Sequence, residues 1–342
     1  MTIKDVRLMK ERDYAFDLLK GVLIFLVVVG HSLSHFGSLK AGTAKYFYNI
    51  IYSFHMPALI LISGYFSRPR KRVRDDNTYK LVSSLLIPFI IFHLLIWALQ
   101  DHTLETIMSP GTMWYLLALF FWRTLAPYFS KIRFVLPISI AMSLLIGWTG
   151  ANELMSLSKT VAFFPLFWCG YFMDENFLKK LRKLPVPVSI LMVIVPVAAV
   201  VFGTYAGFPL ADVFRMKHSY AVAEISGVEG TVLRLLALAV GASVSYGLIA
   251  LCPNKKTFIG SAFGQRSLMI YIGHSFIIAL AVRALKLMHL NLKDNDILLI
   301  IFCLVFSAIL CLFFSSGWIT KCYKIVMGKI TSFILPKGGK AT

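Results

Sequence analysis

Hydrophobic residues in this chain gather into about ten runs, most of roughly 17–22 residues, and a run of that length crosses about 30 Å of hydrocarbon as a helix. The runs are Tyr14–Ser34, Phe47–Phe66, Leu81–Leu99, Thr112–Phe129, Phe134–Gly150, Thr160–Phe172, Val186–Phe202, Thr231–Leu251, Ser267–Leu285 and Ile297–Trp318. The sixth is short, which suits a half-buried or re-entrant helix. Apolar residues make up 58% of the 342 positions and mean hydropathy is +0.75, above the roughly 45–50% of a soluble domain. The fold class is therefore an all-α integral membrane protein, a bundle of about ten transmembrane helices with no separate soluble domain. The first run is too long for the apolar core of a cleaved signal, about 7–15 residues, and reads as a retained first helix.

A net charge of +19 raises the question of nucleic acid, and the distribution of charge answers it. Counted over alternate segments, 24 of the 35 Lys and Arg lie on the side of the N-terminus, 7 on the other side and 4 inside runs. The positive-inside rule accounts for this and expects both termini in the cytoplasm. No nucleic-acid partner is implied, and membrane lipids are the surrounding medium. The five cysteines form no C-x-x-C pair and read as reduced, apolar-like thiols. The histidines are scattered along the chain without metal-ligand spacing, so no metal is expected.

Against this apolar background a few ionisable residues stand out, because each is expensive inside a membrane. Lys20 and His31 are eleven steps apart on one helix, which brings them within roughly 20° of each other and about 16 Å apart along the axis. Asp17 lies a turn before Lys20 and His35 a turn after His31, so the four form a polar stripe facing a bundle interior or a wet pocket. His55 falls mid-span two residues before Pro57, which loosens its helix; this histidine lines a pocket or glues two helices. Ser63-Gly64 reads as a close helix contact.

The run Arg68, Arg70, Arg72 and Arg74, with Lys80 beyond, anchors a helix end at an anionic leaflet or binds a ligand carrying several phosphates. Arg123 lies about nine residues into the fourth run and must snorkel or pair. Trp114 stands at that run's opposite edge. His274, in the ninth run, joins the intramembrane histidines. The Gly203–Gly230 segment, with the mixed charges of Asp212, Arg215, Lys217, His218, Glu224 and Glu229 beside Tyr220, is a solvated cap or a sugar-recognising loop.

Four segments carry a family resemblance: Arg12-Asp-Tyr-Ala-Phe-Asp17-Leu-Leu-Lys20-Gly with Gly30-His31, Phe54-His-Met-Pro57 through Ser63-Gly-Tyr65, Met113-Trp-Tyr-Leu-Leu-Ala-Leu119, and Tyr271-Ile-Gly-His274. In that order they resemble the acyltransferase-3 family of multi-pass membrane acyltransferases, and within it the fucose 4-O-acetylase-like branch. The resemblance implies a single acyltransferase domain over residues 1–342, with residues 1–13 and 319–342 cytoplasmic, in a bacterial inner membrane. It implies transfer of an acyl group, usually acetyl, from acetyl-CoA as co-substrate, with no bound cofactor. The acceptor is then a carbohydrate hydroxyl on a surface polysaccharide or its lipid-linked precursor. It assigns His31 and Lys20 as catalytic and places basic residues after the second helix on the CoA side; here that segment is shifted and denser than in the family.

A mechanism suits both readings. CoA docks at the cytoplasmic mouth on the Arg68–Lys80 segment and Arg123, Lys20 holds or neutralises the donor, and pantetheine bridges the gap to His31. A neutral imidazole there takes the proton of an attacking sugar hydroxyl, or accepts the acyl group itself. The rival class is a proton-coupled sugar or lipid-linked sugar transporter, for which intramembrane His, Lys and Arg are also suited. No inverted repeat supports it.

Overall fold

Every regular element among the described residues is helical. The structure is a computed structural model that describes residues 12–37, 39, 42–68, 76–99, 107–150, 154–287 and 295–335. Helix α1 spans Tyr14–Phe36, an uninterrupted stretch rich in Leu, Val and Ile. Its first amides are satisfied across the chain: Tyr14 and Ala15 N–H both donate to Asn254 Oδ1, at 2.8 and 3.3 Å, which removes two of the four orphan donors of a helix start. Helix α2 spans Thr43–Ser67 and keeps Pro57 in its interior. The carbonyl that Pro57 frees, that of Ser53, lies beside Gly241.

Helix α3 (Thr78–Ala98) contains a π-helical turn at Val82–Leu86. Helices α4 (Trp114–Phe129) and α5 (Val135–Leu145) follow, α5 ending in a 3-10 turn. Then come α6 (Leu157–Ala162), α7 (Phe164–Tyr171) and α8 (Glu175–Leu181). The chain continues with α9 (Val186–Tyr205), α10 (Leu210–Arg215), α11 (Gly227–Leu251), α12 (Ser267–Leu287), α13 (Asp296–Phe314) and α14 (Gly317–Ile334).

Among the described residues, seven helices are long and apolar enough to cross a membrane: α1, α2, α3, α9, α11, α12 and α13. The other three expected spans are shorter. The fourth is the 16 residues of α4, the fifth is Val135–Trp148, and the sixth is broken into α6 and α7 at Phe163. Pro165 explains the break, because it favours the first turn of a new helix.

The spans are not equivalent. In α1 and α2 respectively 67% and 61% of the spanning window is buried by protein, against 17% in α9. The bundle is thus built around α1 and α2, and α9 is peripheral. Close packing fixes this centre. A Cβ on Gly64 of α2 would collide with the Phe167 carbonyl of α7, and one on Gly170 of α7 with the Leu61 carbonyl of α2. The two backbones therefore touch, as small residues permit in membrane bundles. Ser63-Gly64 is the close helix contact that the sequence suggested.

Candidate active site

The start of α1 is held on three sides. Asn254 caps it, Arg182 grips Asp13 through two N–H···O bonds of 3.0 Å, and the Asp17 carbonyl lies where a Cβ on Gly264 would be. On this anchored turn the Asp17 carboxylate, 8% exposed, sits 2.6 Å from Arg12 Nε and 3.2 Å from Lys20 Nζ. Lys20 also lies over the Phe66 ring, 5.2 Å from its centroid. The next residue, Ser67, accepts a 3.0 Å hydrogen bond from Arg123 Nε. Arg68 follows, exposed, at the end of α2. Lys20, Arg123 and Arg68 therefore gather around the last turn of one helix. Arg70, Arg72 and Arg74 lie outside the described residues.

The far end of α1 borders a cavity of about 450 Å³, within the range of small-ligand sites. Four histidines line it, His31, His35, His55 and His93, and a fifth, His274, is wholly buried behind His31 with ring centroids 5.2 Å apart. Histidines scattered along the sequence thus converge in space. Four of the five are tied down: His55 Nδ1 donates to Ile51 O at 2.7 Å, His274 Nδ1 to Ile270 O at 3.0 Å, His35 Nδ1 to His31 O at 2.8 Å and His93 Nε2 to Ile107 O at 2.8 Å. A carbonyl only accepts, so each of these nitrogens carries a proton. The His31 ring alone makes no side-chain hydrogen bond among the described residues and borders open space.

Between the two ends runs a polar seam on α2 and α4. Tyr115 Oη and Ser63 Oγ are 2.6 Å apart, and Arg123 and Ser67 form the next rung. Tyr271 of α12 closes the seam toward the cavity: its hydroxyl donates to the Thr112 carbonyl and accepts from Tyr115 N–H at 3.2 Å. The motif pieces at Ser63, Trp114–Tyr115 and Tyr271–His274, far apart in sequence, thus join in one chain of contacts whose last member, His274, packs on His31.

Placement corrects several expectations. Lys20 and His31 share a helix and, in keeping with their axial spacing, lie at opposite ends: Lys20 is outside the cavity lining, in an ion-pair cluster with Asp17. His274 does not reach the cavity and can act only through His31. The carbonyl freed by Pro57 lies against Gly241 of α11. His55 and Trp114 do line the cavity. Missed altogether was His93: it lies within an apolar run, so the cost argument that flagged His31 applied to it equally. Lys159 was missed because a lone lysine at a helix edge gives no signal.

The fold is a helical bundle with two polar regions along its central helices, an ion-pair cluster around Lys20 and a histidine-lined cavity at the other end. The model of the acyltransferase domain matches residues 13–316, and the chain belongs to this acyltransferase-3 family. Two curated relatives are the nodulation protein NolL of Mesorhizobium japonicum, 31% identical over 127 residues, and the nodulation protein NolL of Sinorhizobium fredii, 46% identical over 57 residues. These matches span 32% and 16% of this chain and only 34% and 15% of the relatives. No solved structure matches the chain at a significant level. The family is one of acyltransferases, and the described residues hold seven helices long and apolar enough to cross a membrane.

Proposed function

We propose that the protein moves an acetyl group from acetyl-CoA to a carbohydrate hydroxyl of a surface polysaccharide or its lipid-linked precursor, in a bacterial inner membrane with the cationic end cytoplasmic. The observation that carries the reading is His31: among five clustered histidines it alone has an unanchored ring, and that ring faces the cavity.

In this reading CoA phosphates bind at the last turn of α2, where Arg68 and Arg123 present guanidinium groups suited to phosphate oxygens. Lys20, oriented by Asp17, holds the donor at the mouth of the seam. Pantetheine extends along α1 over about 16 Å, which brings the thioester carbonyl to His31. The acceptor enters the cavity, with Trp114 and His55 on its walls. His31 takes the hydroxyl proton as the sugar oxygen forms its bond to the carbonyl carbon. The tetrahedral intermediate collapses, the C–S bond breaks, and the CoA thiolate leaves and takes up that proton. His274, packed behind His31, positions the imidazole. Single-chain assembly of both sites on α1 makes the attack effectively unimolecular.

The test is mass spectrometry of surface glycan from wild-type, deletion and His31→Ala strains. The expected result is loss of 42-Da increments, about one per acetyl ester, in both mutants. Identical glycans in wild-type and deletion strains overturn the proposal.

A further inference from the structure

Each anchored histidine of the cavity spends its N–H on a main-chain carbonyl, and that fixes what the ring offers to a ligand. His35 and His55 donate from Nδ1, to His31 O and Ile51 O, and His93 donates from Nε2 to Ile107 O. A neutral imidazole has one N–H and one lone pair, so His35 Nε2, His55 Nε2 and His93 Nδ1 are acceptors. None of these three nitrogens makes a hydrogen bond among the described residues, and all three rings line the cavity. His55 and His93 are buried, where an acceptor left unmet is costly. This wall calls for donors from a ligand.

Packing holds two of these rings beside the base. The Tyr52 ring lies against Gly30, the residue before His31, where a Cβ would stand 2.8 Å from Tyr52 Cε2. The same ring meets His55 edge-on with centroids 4.7 Å apart, and Tyr48 stacks on its face at 3.9 Å. His55 is thereby fixed next to α1. His35 sits one turn beyond His31 on α1, with ring centroids 6.4 Å apart. Two acceptor nitrogens, one from each central helix, therefore flank His31.

Resting on the acceptor-site reading above, we propose that the acceptor carries free hydroxyls beside the one that is acylated, and that His35 Nε2 and His55 Nε2 each accept a hydrogen bond from one of them. The two histidines thus determine which hydroxyl meets His31. A group that only accepts, such as an ether, an ester or fluorine, is rejected at either position, because two lone pairs then face each other. A sugar already esterified at a flanking hydroxyl no longer fits.

Calorimetry on the purified full-length protein, in a detergent without sugar headgroups, tests this with the methyl glycosides of glucose, galactose, mannose and fucose. The tightest binder is then compared with its deoxyfluoro analogues, in which fluorine replaces one hydroxyl at a time and cannot donate. At least two analogues bind about tenfold or more weaker, about one decade in Kd. His55→Phe keeps a ring against Tyr52 and removes the lone pair; one of the two sensitive positions then becomes indifferent to fluorine while the other stays sensitive. His35→Phe reverses the pattern. A distorted cavity weakens all analogues alike and leaves the ratios unchanged. His55→Gln, whose amide oxygen accepts, keeps both positions sensitive. Binding of none of the four glycosides, equal binding of all fluoro analogues, or two sensitive positions in both Phe variants overturns the proposal. Because binding is read without turnover, the fluorine pattern in a protein that transfers no acetyl refutes the transferase reading alone. Acetyl transfer without the pattern refutes only this one.

Discussion

Replacing His31 by alanine separates chemistry from packing more cleanly than any other single change. The imidazole borders the cavity and has no hydrogen-bond partner among the described residues, so its loss enlarges existing open space and breaks no buried bond. The stability cost is on the order of 1 kcal/mol or less, well under the 2–5 kcal/mol of a closed-core truncation. The kinetic cost is that of a general base, about 10²–10⁴-fold, or roughly 3–5 kcal/mol of barrier at 1.36 kcal/mol per decade. His274→Ala is the counterpart. That ring is wholly buried, donates to Ile270 O and lies 3.3 Å from Ser275 Oγ, so its removal costs about 1–3 kcal/mol of stability. Activity falls because His31 loses its backing, and it falls less than in His31→Ala. Transfer of labelled acetyl from acetyl-CoA, with thermal unfolding followed on the same preparations, reads both quantities. A well-folded His31→Ala protein within roughly threefold of wild-type turnover refutes the general-base assignment, and a His31→Ala variant less stable than His274→Ala refutes the packing argument.

Lys20→Ala should lose most turnover while Lys20→Arg keeps part of it; Asp17 stays paired with Arg12, so membrane insertion, followed by cysteine accessibility, is preserved in both. Wild-type kcat and KM for acetyl-CoA in Lys20→Ala would make the lysine only a partner of Asp17. Gly170→Val drives a branched side chain into the Leu61 carbonyl of α2 and should destabilise by about 1–3 kcal/mol or more, seen as a lowered Tm; an unchanged Tm denies the backbone contact between α2 and α7. Ser63→Cys places a thiol on the α2–α4 seam, and CoA should slow its alkylation by a maleimide. Alkylation indifferent to CoA routes the donor elsewhere.

Membrane class and helix type were legible because lipid imposes its demand locally: each segment must be apolar over its own length, whatever it packs against. The same criterion does not foresee how α4–α7 are divided: Thr112–Phe172 is apolar enough to suggest three spans, and its helices are shorter than the seven long ones. There the break comes from Pro165 and from packing against Gly64 and Gly170, which no hydropathy window senses. At the site, Lys20 and His31 were legible through their cost in an apolar helix and their shared face. Their separation along the axis was legible from the helix rise; the neighbours that each end meets were not, since other helices set those environments. The histidine cluster needed four helices to assemble.

In the proposed function, helix α1 spans the distance between the donor and acceptor ends. Its first turn is clamped by Asn254, by the Arg182–Asp13 pair and by the backbone against Gly264, and its last carbonyls end in the Gly37 N–H bond to Leu33 O at 3.0 Å. Between them the helix carries no proline or internal break, so it behaves as a rod. The offset of about 16 Å and 20° from Lys20 to His31 is then set by residue count alone. A rod this rigid cannot bring Lys20 to the reacting carbonyl, and the donor must supply the reach. An extended thiol-bearing arm does so, and a short acyl phosphate does not. Under the proposed roles of Lys20 and His31, which rest on the family resemblance, the spacing along α1 favours a donor with an extended arm.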